Sequence, residues 1–298
     1  MKIFFFPFYP HSIFKHTKLI VILSILLALR FALQYAVIHI PIVSVSFSLA
    51  WTPLMIIGWI FGPMIGFFSG VITDTVSYLI KPTSLWFWMY AIQEPLVGFI
   101  SGIIGSLYVL RTKTLIDDFV ENKNNNKNVK WDFVINQIII IGFTFVTTLI
   151  VLVWADGIQS FEGKSKFDDI FFKYSRYIII VVNIIFFVVV ETITLVFYKR
   201  KKKNFLLFIW IVNLTMITTT VFSFLLGPIS AAEYFKYANG RESPNVVKYG
   251  LIFYLIPRVI KESVKLPLQD FALLLLIPIT TLYTNNVKKN LRFTWNKS

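Results

Sequence analysis

The stretch SFSLAWTPLMIIGWIFGPMIGFFSGVITDTVSYLI, residues 46–80, decides the fold class of this chain. Its two apolar segments are separated only by a Phe-Gly-Pro turn at 61–63, and no charged residue stands between Ser46 and Asp74. Each half is roughly 16–18 residues long, near the lower limit for a helix that crosses a bilayer. The stretch therefore predicts a tight transmembrane hairpin. Its outer ends are rich in Ser, Thr, Trp and Pro, which favours a ligand site near one membrane face.

The composition of the whole chain also indicates a membrane protein. Of its 298 residues, 56% are apolar and only 15% are charged, and the mean hydropathy is +0.71, values that are not those of a soluble domain. The chain has no cysteine, which excludes disulfides, thiol catalysis and cysteine-ligated metals. A net charge of +14 would favour nucleic-acid binding in a soluble protein, but in a membrane protein it points to basic cytoplasmic loops.

Eight apolar segments predict an all-helical, polytopic transmembrane bundle of about eight spans. They cover residues 19–38, 46–61, 64–80, 87–110, 132–154, 177–198, 204–226 and 250–283. If the N-terminus is cytoplasmic, 17 basic residues fall in inside segments and eight in outside segments, which predicts that both termini are cytoplasmic. The Lys-Arg run at 199–203 is the strongest single anchor, and we interpret it as a juxtamembrane contact with lipid, not with nucleic acid.

A polar stripe runs along the last apolar segment. Its members recur at helical spacing: Arg258, Lys261, Glu262, Lys265 and Gln269. The four charges together cost on the order of 10 kcal/mol at mid-bilayer, so the stripe must face protein, water or a ligand. Arg258 lies about two turns from the outer end, where it could meet an anionic ligand. Lys261 and Lys265 could instead pair with Glu262.

Two acids and a group of aromatic residues are further candidates for ligand binding. Asp74 and Glu94 are acids within apolar segments, and each could accept hydrogen bonds from an amino-heteroaromatic edge or form a helix–helix hydrogen bond. Aromatic residues crowd the presumed outer ends of the same segments: Phe47, Trp51, Trp86, Phe87, Trp88 and Tyr90. These could form an interfacial belt or a stacking site for a ring, and the nearby Asp74 favours the stacking site.

Small residues at a spacing of four predict close helix packing. For Gly62, Gly66 and Gly70 we expect contacts inside the protein, whereas Ala28 and Ala32 on the first segment could meet an external helical partner. The chain has no GxxxxGK[ST] loop and so does not hydrolyse ATP itself. It also lacks a GxSxG elbow and an HExxH motif, and we predict neither an enzyme nor a metal site or cofactor.

Taken together, these residues resemble the substrate-binding (S) component of an energy-coupling-factor (ECF) vitamin transporter, and they are most similar to folate-type members. The first matching stretch runs from ALRFA at 28–32 through residues 44–82 to LVGFISGIIGSLYVL at 96–110. The second runs from LLGPIS at 225–230 to the Pro-Arg helix that ends at Gln269. The shared pattern is FGP-x-x-G-x-x-x-G-x-x-x-D followed by a distant PR-x-x-K.

The resemblance implies a six-helix fold that binds a vitamin near the outer face of a bacterial cell membrane. Such a component works with a transmembrane coupling (T) component and two ATPase subunits. The family's Ala-x-x-x-Ala contact with the coupling component maps onto Ala28 and Ala32. The chain departs from the family in the number of helices, since the family has six and this chain is predicted to have eight. Residues 1–110 and 204–298 form the predicted core of a single membrane domain. Residues 111–203 add a hydrophilic linker (111–131) and an inserted helix pair (132–198).

The sequence thus predicts a subunit that captures a folate-like vitamin for ATP-driven import in trans. Four aromatic side chains are expected to stack on a pterin-like ring: Phe47, Trp51, Trp86 and Trp88. Asp74 or Glu94 would accept hydrogen bonds from its amino edge, and Arg258 would pair with a glutamyl carboxylate. The alternatives are another vitamin (riboflavin, thiamin or a queuosine precursor), a secondary transporter that works alone, and a membrane scaffold that binds no small molecule.

Overall fold

The computed structural model describes residues 16–40, 45–80, 85–120, 125–155, 187–196 and 205–295, together with 177, 180, 181, 184 and 185. These residues are helical almost throughout, which confirms the predicted all-helical, polytopic bundle. The basic run at 199–203, predicted as an anchor, lies outside the described residues.

The described elements follow one another as a series of helices interrupted by one small sheet. The helices are α1 (Thr17–Tyr35), α2 (Trp51–Phe61), α3 (Pro63–Ile80), α4 (Trp88–Ala91), α5 (Gln93–Val120), α6 (Asn125–Ala155), α7 (Phe187–Val196), α8 (Phe205–Thr218), α9 (Gly227–Asn239), α10 (Pro244–Tyr249) and α11 (Ile252–Trp295). A π-helical segment, Thr219–Leu226, connects α8 to α9. Two short strands, β1 (Ile38–Ile40) and β2 (Val45–Phe47), pair in a two-stranded sheet between α1 and α2.

Eight apolar helices are present in the described part of the chain. Five stretches are long and apolar enough to cross a membrane: Thr17–Tyr35, Pro63–Ile80, Trp88–Thr112, Leu206–Asn239 and Val264–Thr284. Three apolar helices are shorter: Trp51–Phe61, Phe133–Val146 and Phe187–Val196. Each of the eight overlaps one of the predicted apolar segments, and the chain is therefore a multi-pass membrane protein.

The turn between α2 and α3 forms where the sequence predicts it. Gly62 ends α2 with a φ of 96°, a backbone conformation that glycine adopts readily, and its N–H donates to the carbonyl of Gly58. Pro63 is the first residue of α3, where its missing N–H removes no helical hydrogen bond. Although α2 is short, ten of its 11 residues are buried, so it lies at the centre of its neighbours.

Glycines allow α2, α3 and α5 to approach backbone to backbone. A Cβ on Gly66 would clash with the carbonyl of Gly98, and one on Gly98 would clash with that of Gly66. A Cβ on Gly58 would meet the same Gly98 carbonyl and the hydroxyl of Ser101. The small-residue spacing on α3 therefore serves packing inside the protein, as expected.

The chain divides into two compact units. The first comprises residues 1–38, 47–125 and 268–298, and the second comprises residues 39–46 and 126–267. The second unit thus contains both the helix pair predicted as an insertion and residues 205–267, which the resemblance assigns to the core. Helix α5 continues to Val120 and α6 begins at Asn125, so most of 111–131 is helical where the sequence favours a flexible linker. Because α5 continues into the polar segment, the backbone N–H and C=O groups there remain paired within the helix.

Candidate functional site

A buried polar cluster joins α1, α3 and α5 in the first unit. We call it the arginine–glutamate cluster, and its members are Arg30, Gln34, Thr73, Ser77 and Glu94. Arg30 is only 3% exposed and donates from Nε, at 3.2 Å, and from Nη2 to the two carboxylate oxygens of Glu94. Its Nη1 donates to the side-chain carbonyl of Gln34, one turn further along α1.

Two hydroxyl groups on α3 complete this cluster. Thr73 lies within hydrogen-bond distance of Oε2 of Glu94 (2.8 Å), and Ser77 lies within that distance of Oε1 of Gln34 (2.8 Å). Thr73 and Ser77 are four residues apart and therefore share one face of α3. One cation and one carboxylate balance each other, and both carboxylate oxygens accept hydrogen bonds. The cluster is closed, and it ties three helices together.

The two predicted acids have different environments in the first unit. Glu94 accepts hydrogen bonds from Arg30 on α1 and Thr73 on α3. A helix–helix hydrogen bond was one of the two interpretations of Glu94 from the sequence. Asp74 is half-buried and close enough for the charges of Glu94 and Arg30 to act on it. Of the two acids, Asp74 therefore takes part in fewer of the described hydrogen bonds than Glu94.

The predicted aromatic residues do not share one environment. Phe47 is buried at the end of β2, whereas Trp86 and Trp88 are both more than half exposed. Trp51 begins α2 and is partly exposed. The centroid of the Phe87 ring is 6.4 Å from that of Trp88 and 5.9 Å from that of Tyr90. Exposure of this kind fits both an aromatic belt and an open stacking site.

A second buried polar cluster lies on α11 and the π-helical segment of the second unit. We call it the lysine–glutamate cluster, and its members are Ser223, Arg258, Lys261, Glu262 and Lys265. Glu262 is 1% exposed, and its Oε1 accepts hydrogen bonds from Ser223 Oγ (2.9 Å) and Lys265 Nζ (3.2 Å). The Nζ of Lys261 lies 3.6 Å from the same oxygen. This pairing confirms one of the two interpretations of the polar stripe.

Only one of the two carboxylate oxygens of Glu262 accepts hydrogen bonds from the described residues. Its second oxygen, Oε2, is equally buried, yet no described residue donates a hydrogen bond to it. The guanidinium of Arg258 packs against Gly227 and is close enough for its charge to act on Lys261. Two ammonium groups thus contact one oxygen of Glu262, and Arg258 lies near the first of them, Lys261.

The remaining predicted residues are placed as follows. Gln269 lies in the first unit, where its amide nitrogen is 2.9 Å from the sulfur of Met55. Ala28 and Ala32 are exposed on α1, on the side opposite the buried Arg30. Within the described residues, no group of three or more His, Asp or Glu side chains could hold a metal ion.

Sequence reasoning missed Arg30 and its hydroxyl partners. The signal was available, because Arg30 and Glu94 are lone opposite charges in two apolar segments, and each costs about 2.5–3.5 kcal/mol at the centre of a span. Two such charges are expected to pair. Ser223 carried no signal of its own, since its role depends on the π-helical turn that brings it against α11.

The chain resembles known proteins along most of its length. A family model described as "ECF-type riboflavin transporter, S component" matches residues 14–200. The chain is 32% identical over 295 residues to the uncharacterized protein MG313 of Mycoplasma genitalium and to its homolog in Mycoplasma pneumoniae. These alignments cover 96% of the chain and 96% and 97%, respectively, of the two relatives. No solved structure matches the chain. The family match runs through 132–198, predicted as an insertion, and stops before 204–298.

Proposed function

Because the chain belongs to the family of S components of ECF-type riboflavin transporters, we propose that it is the vitamin-binding subunit of an ECF-type importer. In this role it binds the vitamin within the membrane, while a transmembrane coupling component and two ATPase subunits supply the energy. The observation that carries the proposal is the family match over residues 14–200, in a chain whose described part contains eight apolar helices.

The proposed ligand is a vitamin with a fused heteroaromatic ring, and riboflavin is the first candidate because the matching family is named for it. Folate, which the sequence resemblance favours, is the second candidate. Arg258 supports it, since a guanidinium beside Lys261 is suited to the glutamyl carboxylates of folate.

Several first-unit residues have proposed roles in ligand binding. Phe47, Trp51, Trp86 and Trp88 would stack on the ring. Asp74 is the better candidate to accept hydrogen bonds from a ligand, because both oxygens of Glu94 already accept from Arg30.

The proposed contact with the coupling component is the exposed face of α1. Ala28 and Ala32 are exposed there and lie one turn apart, so a partner helix can approach the backbone closely. Val21 and Ile25 continue the same exposed face toward the start of the helix. Both termini are proposed to be cytoplasmic because the basic residues concentrate in the segments on that side.

An uptake experiment tests the transport part of the proposal. Cells that produce this chain together with an ECF coupling component and its two ATPases are supplied with labelled riboflavin, with folate as competitor. We expect uptake that stops when ATP is depleted, even when a proton gradient is maintained. Uptake that survives ATP depletion would contradict the proposal and favour a secondary transporter. Competition by folate at equal concentration would show that the same site also binds folate.

A further inference from the structure

Helix α1 has few buried residues. Of its 19 residues, three are buried: Leu19, Leu26 and Arg30. Apolar side chains lie on every side of the helix, and Val21 and Ile25 are among those that are exposed. Since lipid chains are as apolar as leucine, such a helix gains little from turning one apolar side toward the protein and another toward lipid. Apolar contacts therefore do little to fix the rotation of α1 about its own axis.

Two polar residues of α1 make directional contacts. Arg30 donates hydrogen bonds to both carboxylate oxygens of Glu94 on α5 and, through Nη1, to the side-chain carbonyl of Gln34. Gln34, one turn further along α1, lies 2.8 Å from the hydroxyl of Ser77 on α3. A guanidinium that donates two hydrogen bonds to one carboxylate holds it at a fixed distance and angle. The contacts of Arg30 and Gln34 are therefore satisfied together at one rotation of α1.

Small residues lie on the opposite side of α1. Successive residues of an α-helix are about 100° apart around its axis, so Ala28 and Ala32 each lie about 160° from Arg30. Ser24 lies one turn before Ala28, and all three small residues are exposed. A rotation by one residue would bring larger side chains to this side of the helix. They are Leu27 and Phe31 in one direction and Leu29 and Leu33 in the other.

We propose that Arg30 is a positioning residue for the contact with the coupling component. Its hydrogen bonds to Glu94 and Gln34 fix the rotation of α1, and this rotation presents Ser24, Ala28 and Ala32 to the partner helix. The assignment rests on the proposed function, which places the coupling component at this face. Arg30 acts through the orientation of its helix and touches neither the vitamin nor the partner.

The orientation of α1 can be separated from the stability of the chain. Replacing a buried ion pair by apolar residues of similar size is often neutral or stabilising, because no charge then has to be kept out of water. Arg30→Met with Glu94→Met should therefore fold, while α1 loses the contact that sets its rotation. Thermal unfolding of the purified chain in detergent shows whether this double variant is folded.

The first test measures the orientation of α1 directly. Because the chain has no cysteine, Ile25→Cys on α1 with Ile72→Cys on α3 provides the two attachment sites for spin labels. Both positions are more than half exposed. Pulsed electron paramagnetic resonance gives the distance between the labels in the full chain. We expect one narrow distance when Arg30 and Glu94 are unaltered, and a broader or shifted distribution in Arg30→Met with Glu94→Met.

Two further variants show which property of Arg30 matters. Arg30→Lys keeps a cation opposite Glu94 but lacks the planar fork, so the label distance should broaden here as well. Gln137→Met with Glu191→Met is the matched control, since it removes another hydrogen bond between two helices, of 3.0 Å, in the second unit. It should leave the label distance unchanged.

The second test measures the functional consequence without spin labels. Arg30→Met with Glu94→Met should lose most of its co-purification with the coupling component, because larger side chains then occupy the contact face. Its affinity for riboflavin, measured by fluorescence quenching, should stay within about twofold, since the proposed acceptor Asp74 is unaltered. A purely structural role of Arg30 would reduce both quantities together.

The outcomes separate this assignment from the function on which it rests. A label distance that stays narrow in both Arg30 variants overturns the role of Arg30 in orienting α1. A changed distance with undiminished co-purification overturns its role in coupling. An unaltered chain that binds riboflavin but never co-purifies with the coupling component overturns the proposed contact and this assignment with it. Normal co-purification without riboflavin binding contradicts the proposed ligand and supports the assignment if the variant then fails to assemble.

Discussion

The two buried charge clusters differ in how completely their hydrogen bonds are satisfied. In the arginine–glutamate cluster, one guanidinium faces one carboxylate, and both carboxylate oxygens accept hydrogen bonds from Arg30. In the lysine–glutamate cluster, two ammonium groups contact one oxygen of Glu262, and the other oxygen has no described donor. The difference teaches that burial of charge alone does not identify a binding site in a membrane protein. A closed cluster joins helices, whereas an incomplete one keeps a buried acceptor that no described residue contacts.

The largest expected effect follows from opening the closed cluster. Arg30→Gln leaves the carboxylate of Glu94 buried without its cation, and removing one partner of a buried ion pair destabilises a protein by about 3–5 kcal/mol. The measurement is the unfolding temperature of the purified chain in detergent. The matched control is the double variant Arg30→Gln with Glu94→Gln, which removes both charges and should recover much of the loss. An unfolding temperature that is unchanged in Arg30→Gln would show that the pair does not hold the helices.

The next effect concerns ligand-dependent stability. Riboflavin at about a hundred times its dissociation constant should stabilise the unaltered chain by about 2.7 kcal/mol. In Asp74→Asn, the same riboflavin concentration should give a clearly smaller increase in unfolding temperature, because the proposed hydrogen-bond acceptor has lost its charge. The Arg30→Gln variant should keep the full increase despite its lower starting temperature. The comparison fails if both variants lose the ligand-dependent increase equally.

A smaller effect is expected at the glycine contacts of the first unit. Gly98→Ala places a Cβ against the carbonyl of Gly66, and overpacking of this kind costs about 1–3 kcal/mol. Gly142→Ala on α6 is the control, since a Cβ there meets no atom within 4 Å. Thermal unfolding should show a loss for Gly98→Ala and no loss for Gly142→Ala. Equal behaviour of the two variants would contradict the backbone-to-backbone packing of α3 and α5.

The smallest effect on the isolated chain is expected at Ala28 and Ala32. Because both are exposed, Ala28→Leu with Ala32→Leu should change the free energy of unfolding by no more than about 0.5 kcal/mol and leave riboflavin affinity intact. Co-purification with the coupling component and riboflavin uptake should both fall sharply, since larger side chains prevent close helix contact. Full assembly of this double variant would place the coupling contact elsewhere.

Hydrophobic pattern was enough to predict the fold class but not the division of the chain. The eight apolar helices follow directly from segment length and hydropathy, and Gly62 with Pro63 marks the turn of the first hairpin. The grouping of residues 126–267 into one unit depends on contacts far apart in sequence, which periodicity does not encode.

The candidate site was only partly predictable for a similar reason. The polar stripe on α11 could be predicted because its residues recur at helical spacing. Pairing of Lys261 and Lys265 with Glu262 was one of its two interpretations. The uneven use of the Glu262 oxygens was not visible, because it depends on Ser223, which a π-helical turn brings to one side of the carboxylate. Side-chain hydrogen bonds between distant segments have no signature in a single sequence.

The central claim is that this chain alone binds a flavin, and quenching of riboflavin fluorescence tests it most directly. Riboflavin at fixed concentration is titrated with the chain purified in detergent, in the absence of any ATPase or nucleotide. The account predicts quenching that saturates at one riboflavin per chain. A chain that unfolds cooperatively, and is therefore folded, but leaves riboflavin fluorescence unchanged at every concentration would contradict it.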